Sequence, residues 1–249
     1  MMFDNINLIV EHEDAAALAD KQKYNENQFA LIRRNGFGAS DAATLLNVSP
    51  WTGIDELIKQ KASTEVTEDE LKIGRMPQVR MGVDLEPFIL SKFEQWAGMS
   101  CKKPKPMYRI EEFPYLTVNF DGLTEIDVPV EVKCVSMFGE GKKDNPYWLH
   151  DHALDSIDQA RPSFIEPGRL NADVIKGLAK SCGIPVYYYT QCQQQILAAN
   201  STHAYLAAMH TKDWTLRVYY VPRCEAVINL LKENGYQAWK KVEKLKNKI

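Results

Sequence analysis

Between Asn119 and Lys133 the chain reads NFDGLTEIDVPVEVK, and this stretch restricts the fold more than any other. In the run Val130–Val135 side chains alternate, so Val130, Val132 and Cys134 face one way while Glu131, Lys133 and Val135 face the other. Asp121-Gly122 supplies turn or bulge chemistry after the apolar-rich run Tyr115–Phe120, and Pro129 marks the entry to the second run, which predicts a β-hairpin. With antiparallel pairing, Asp121 comes close to Glu131 across the ladder, and Lys133 stands beside them. Two carboxylates and one ammonium so close together are costly without a cation. The residues alone leave a second reading open, in which a common Asp-Gly turn precedes a solvated strand face.

With 249 residues, 45% of them hydrophobic, the chain is long enough for one sizeable core, and a single domain over 1–249 is expected. Thirty Lys+Arg against thirty-three Asp+Glu give a net charge of −3, which does not advertise a nucleic-acid binder, although a local basic groove can coexist with an acidic site. The five cysteines are odd in number and scattered without a C-x-x-C pair, so neither a disulfide framework nor a zinc site is indicated. No apolar run reaches spanning length and no basic-then-apolar leader opens the chain; a soluble, cytoplasmic protein without membrane contact is expected.

Residues 1–24 read as a peripheral segment with a short helical turn at Ala15–Leu18. A helical pattern over Tyr24–Arg34 leads through Gly36 and Gly38 to Ser40-Asp41 and the apolar helix Ala42–Leu46. Ser40 is a natural N-cap, the commoner role of such a serine, and with Arg33 nearby the same hydroxyl and the free N–H groups of a helix start also make a ready anion site. A second short helix is expected at Ile54–Lys61 and a polar linker at 62–70. Phe88, Ile89, Phe93, Trp96 and Ala97 form the stripe of a helix that Gly98 ends. Glu86 precedes Pro87 and is therefore expected at the N-terminal end of the packed segment, where the helix dipole favours a carboxylate. Lys102, Lys103 and Lys105 make a basic loop whose ordinary fate is solvation. The stretch 136–183 reads as an insertion with a helix at Ala172–Ser181 capped by Asn171. After it come a Gln-bearing helix over Tyr187–Asn200, strands at His203–Met209 and Trp214–Tyr220, and a closing helix from Arg223. This order predicts an α/β (α+β) fold, a mixed central sheet flanked by helices.

Five ordered motifs in these elements resemble those of the lambda exonuclease and YqaJ-type viral recombinases of the PD-(D/E)XK nuclease superfamily. They are GASDAATLLNVSPW, MGVDLEP, NFDGL, VEVK and YYYTQCQQQI, and the resemblance covers about residues 29–220. It implies a restriction-endonuclease-like core, and the stretch 136–183 exceeds what such a core needs. It also implies that Asp121 and Glu131, with the backbone carbonyl of Val132, hold Mg2+ or Mn2+, and that Glu86 completes the acidic site. Lys133 is then expected to orient the attacking water and stabilise developing charge, because a lysine beside two carboxylates keeps its proton. Gln191 and Gln193 fall on a Q-x-Q motif, with Gln193 expected to face the site. Arg33 and Ser40 match positions that hold a terminal 5′-phosphate.

The function implied is a Mg2+-dependent 5′-to-3′ exonuclease on double-stranded DNA ends, serving phage-type recombination with a single-strand annealing protein and assembling as a homo-trimer. An endonuclease of the same superfamily shares the chemistry, and a catalytically idle DNA-end-binding scaffold is the alternative outside enzymes. The intact Asp121, Glu131 and Lys133 set argues against the scaffold.

Overall fold

In the computed structural model, which describes residues 8–10, 30–104, 107–135, 148–159, 161 and 166–248, nine strands form two mixed sheets. The strands are β1 (Leu8–Val10), β2 (Phe37–Gly38), β3 (Cys101–Lys102), β4 (Tyr108–Ile110), β5 (Phe113–Val118), β6 (Gly122–Thr124), β7 (Pro129–Val135), β8 (His203–His210) and β9 (Thr215–Pro222). The helices are α1 (Ala42–Leu45), α2 (Ile54–Ala62), α3 (Glu68–Arg75), α4 (Pro77–Ala97), α5 (Ala172–Ser181), α6 (Val186–Ala199) and α7 (Glu225–Lys246). One sheet runs β1-β4-β5-β2, with β2 parallel to β5; the other runs β3-β6-β7-β8-β9, with β7 parallel to β8. The expected α/β fold with mixed sheet and flanking helices is what forms, divided into two sheets where one central sheet was expected.

Alternation in β7 decides the layering. Val130 and Val132 pack with Ile89, Leu90 and Phe93 of α4 and with Tyr205, Ala207 and Met209 of β8. The opposite face belongs to the larger core, where Val135, Leu206 and Ala208 meet helices α1, α2, α5, α6 and α7. Glu131 and Lys133 thus project from the face that α6 covers. Burial of the two apolar layers, at about 25 cal/mol per Å2, fixes this register, because a one-residue slip would exchange Glu131 with a valine.

Several local expectations are corrected. The hairpin that carries the site is β6–β7, turning at residues 125–128 with Asp127 in the left-handed region (φ 61°), and β5 belongs to the other sheet. Asp121-Gly122 is instead a close approach: a Cβ on Gly122 would stand 2.7 Å from a Leu90 methyl of α4. The linker expected at 62–70 ends in helix α3, where Thr67 and Glu70 form a reciprocal capping box. Helix α4 begins at Pro77 and continues through Pro87, so Glu86 lies well inside a helix rather than at its start. Ser40 is not a cap either: it sits within a 3-10 turn, Ala39–Asp41, and α1 starts after Asp41.

Leu8–Val10 of the segment expected to be peripheral pairs antiparallel with β4, while the turn expected at Ala15–Leu18 lies outside the described residues. Within 136–183 the described parts join the core: Leu154 donates its N–H to the Val218 carbonyl at 2.7 Å, and Ile175 and Ala179 of α5 are buried against α6. Asn171 caps α5 as expected, its side-chain oxygen accepting from the Val174 N–H at 2.9 Å. Among the described residues no helix is long and apolar enough to cross a membrane.

Candidate active site

Pairing of Gly122 with Val130 and Leu123 with Pro129 sets Asp121, one residue before β6, across from Glu131. The Asp121 carboxylate accepts the Val132 N–H at 2.9 Å. N–H and C=O of one strand residue project to the same side, so the Val132 carbonyl is turned toward Asp121 as well. Glu131 is 1% exposed, and such a carboxylate requires partners. It has three: Gln191 Nε2 donates to Oε1 at 2.6 Å, the Lys133 ammonium also reaches Oε1, and Gln195 Nε2 donates to Oε2. Glu86 lines the same pocket from α4, its carboxylate 3.1 Å from Lys103 Nζ, so Lys103 of the basic loop is paired rather than simply solvated.

The balance of charge is uneven. Burial, then the neighbouring Glu131, push the Asp121 carboxyl up to about 7, with Glu86 adding to the effect and Lys133 and the Val132 N–H opposing it. For Lys133, burial works against the charge, but Glu131 and Asp121 outweigh it and hold the ammonium well above its ordinary value. It therefore stays a cation, poised over the Tyr188 ring at 5.1 Å. Glu86, Asp121 and Glu131 line this pocket with Lys133, and carboxylate oxygens are hard donors of the kind that Mg2+ and Mn2+ accept. Among the described residues no three acidic, histidine or cysteine side chains converge as ready ligands, and both oxygens of Glu131 are turned onto Gln191, Gln195 and Lys133.

Arg33 and Ser40 open onto the same cavity of about 180 Å3. Arg33 Nη2 donates to Ser40 Oγ at 3.0 Å. The 3-10 turn beneath Ser40 is held by Asp41, which accepts the Gly38 N–H at 2.9 Å and pairs with the buried Lys61 at 2.7 Å. Lys61 also donates to the Arg33 carbonyl at 2.9 Å, so one side chain secures both members of the pair.

The expectation for Gln193 is overturned. Its amide donates to the Pro222 carbonyl at 2.8 Å and its oxygen accepts the Cys224 N–H at 2.9 Å, which ties α6 to the β9–α7 junction away from Glu131. Residues two apart on a helix point roughly 200° apart, whereas Gln191 and Gln195, four apart, share a face. Gln195 was missed in the sequence; the i, i+4 spacing within QCQQQ was the signal that could have found it. Gln194, fully buried, donates to the carbonyls of Phe37 at 2.8 Å and Thr117 at 2.9 Å, joining α6 to the β2–β5 pair that leads to Ser40.

A model of the YqaJ-like viral recombinase domain matches residues 28–202. The uncharacterized protein YqaJ of Bacillus subtilis (strain 168) is 25% identical over 108 residues, 43% of this chain and 32% of that protein, so the match spans about a third of the relative's length. Among solved structures, an alkaline exonuclease (LHK-Exo) from Laribacter hongkongensis superimposes with a TM-score of 0.54 at 14% identity, covering 88% of this chain and 95% of that one. The same exonuclease in complex with dAMP gives the same values. At this identity the likeness is one of fold.

Proposed function

Because the chain belongs to the YqaJ-like viral recombinase domain family, we propose that it is a DNA exonuclease that hydrolyses double-stranded DNA from its ends in the 5′-to-3′ direction. One observation carries this reading: a single pocket is shared by Glu86, Asp121, Glu131 and Lys133 and by the Arg33–Ser40 pair. Phosphodiester hydrolysis needs a place for negative charge on the phosphoryl oxygens and a means of fixing the end of the strand. The pocket offers both.

Asp121, Glu131, Glu86 and the Val132 carbonyl would hold Mg2+ or Mn2+, which when bound neutralises phosphoryl charge and makes hydroxide accessible near neutral pH. The remaining work falls to the chain's own groups. Lys133, kept protonated by its two carboxylate neighbours, donates hydrogen bonds to the attacking water or a phosphoryl oxygen and does not act as a base. Gln191 and Gln195 hold the Glu131 carboxylate in one orientation. Arg33 presents a planar fork and Ser40 a hydroxyl to a terminal 5′-phosphate. Assembly as a homo-trimer and transfer of the remaining 3′ strand to a single-strand annealing protein belong to this reading through the family.

Linear and covalently closed circular duplex incubated with Mg2+ provide the test. The linear form is degraded and the circle survives. Equal loss of both forms would replace the exonuclease with an endonuclease, and binding without degradation of either would leave only a DNA-end scaffold.

A further inference from the structure

Trp51 is 70% exposed, an unusual cost for so large an apolar ring at about 25 cal/mol per Å2. The turn it occupies does not require it: Ser49 Oγ accepts the N–H groups of Trp51 and Thr52, each at 3.3 Å, and so holds the turn by itself. The indole leans on Tyr187, ring centroids 4.5 Å apart and planes at 55°. Tyr187 in turn stands edge-on to Tyr188 at 4.3 Å, and the Tyr188 ring lies under Lys133 Nζ. Three aromatic rings therefore lead outward from the pocket lysine to solvent. Tyr188 is committed to the ammonium, which leaves Tyr187 as the support and Trp51 as the outer surface.

We propose that Trp51, backed by Tyr187, is a stacking ledge for an unpaired nucleobase of DNA engaged at the pocket; the proposal rests on the nuclease reading above. Stacking suits this place because every base presents a π-face, so the ledge accepts any sequence as successive ends pass. Continuity with Lys133 favours a nucleobase over a partner protein's apolar side chain, since a strand held at the pocket can carry its neighbouring bases outward along this row of rings.

The probes are a fluorescein-labelled duplex with a short 5′ single-stranded tail and a blunt duplex of the same length, bound in EDTA over a series of salt concentrations so that no hydrolysis occurs. Trp51→Ala weakens the tailed probe about tenfold, as expected for loss of one base–aromatic stack, and the blunt probe less than about twofold. Trp51→Phe retains most of the affinity, and Ile126→Ala, at another exposed apolar residue, changes neither probe. The slope of affinity against salt stays the same, because no phosphate contact is lost. Unchanged binding of the tailed probe by Trp51→Ala, equal weakening on both probes, or failure of the unmodified protein to bind the tail would overturn the ledge. Degradation of linear duplex by the unmodified protein is measured separately with Mg2+. Its absence would defeat the nuclease reading while the metal-free binding difference is still read by itself.

Discussion

Gln195 holds the Glu131 oxygen that Gln191 leaves free, so two amides one helical turn apart grip the two ends of a single buried carboxylate. Substituting Gln195 by Ala leaves that oxygen without its charged hydrogen bond, a loss of about 1.5–3 kcal/mol. The expected result is roughly a ten- to hundredfold fall in kcat/KM by steady-state kinetics. Gln193→Ala, by contrast, leaves the Pro222 carbonyl and Cys224 N–H unpaired and lowers Tm, while the folded protein keeps its kcat.

Asp121→Asn abolishes hydrolysis and leaves Tm unchanged or raised, because it removes a carboxylate pressed against Glu131 with Lys133 as the principal counter-charge. Lys133→Ala also abolishes hydrolysis. Glu131→Ala does so too, and lowers Tm as well, since it takes from Lys133 one of its two carboxylate neighbours and leaves the Gln191 and Gln195 amides without their acceptor. Thermal melts beside turnover assays separate these outcomes; normal turnover by purified Glu131→Ala would remove the assignment of the site.

Chelation with EDTA stops hydrolysis, and Mg2+ or Mn2+ restores it. Ca2+ restores it poorly, because its larger and more flexible shell positions an in-line displacement badly. Equal rates in Ca2+ and Mg2+ would contradict this.

Arg33→Ala lowers the rate on 5′-phosphorylated duplex about ten- to hundredfold, the equivalent of ~1.5–3 kcal/mol of charged hydrogen bonding. Ends bearing a 5′-hydroxyl are slow substrates for the unmodified protein and change little on mutation. Indifference of the unmodified protein to the 5′-phosphate would take the terminal pocket away from Arg33 and Ser40.

His203 stacks on Tyr220 at 4.7 Å, and burial pushes its imidazole down to about 4 from an ordinary 6.5. Between those values the unfolded chain takes up a proton that the folded protein refuses, so stability is intact above pH 6.5 and falls as the pH drops toward 4. Urea midpoints at pH 7 and pH 4.5 measure the loss, and His203→Gln is expected to flatten it.

Much of the site is written in local periodicity. Period two in VEVKCV places Glu131 and Lys133 together, and the turn of i, i+4 places Gln191 and Gln195 together. What escapes local reading is decided by distant packing. Pro87 reads as a helix start, yet α4 begins ten residues earlier at Pro77 and carries through, its C-terminal half anchored by Ile89, Leu90 and Phe93. Gly122 reads as turn chemistry, yet what demands a glycine there is Leu90, thirty-two positions away in the chain. Which glutamine reaches Glu131 depends on how α6 is rotated, and that angle is set by Tyr189, Cys192 and Ile196 in the core.

Helix α6 spends Gln193, Gln194 and Gln195, each fully buried, on three different parts of the protein: the β9–α7 junction, the β2–β5 pair and the acidic centre. Inserting one residue among 186–190 would turn everything beyond it by about 100° and hand each amide the wrong correspondent. Such a helix tolerates neither indels nor gradual drift in its polar residues. Homologous chains that vary freely elsewhere should keep its length, and a replaced glutamine should be accompanied by a compensating change in the strand or junction it addresses.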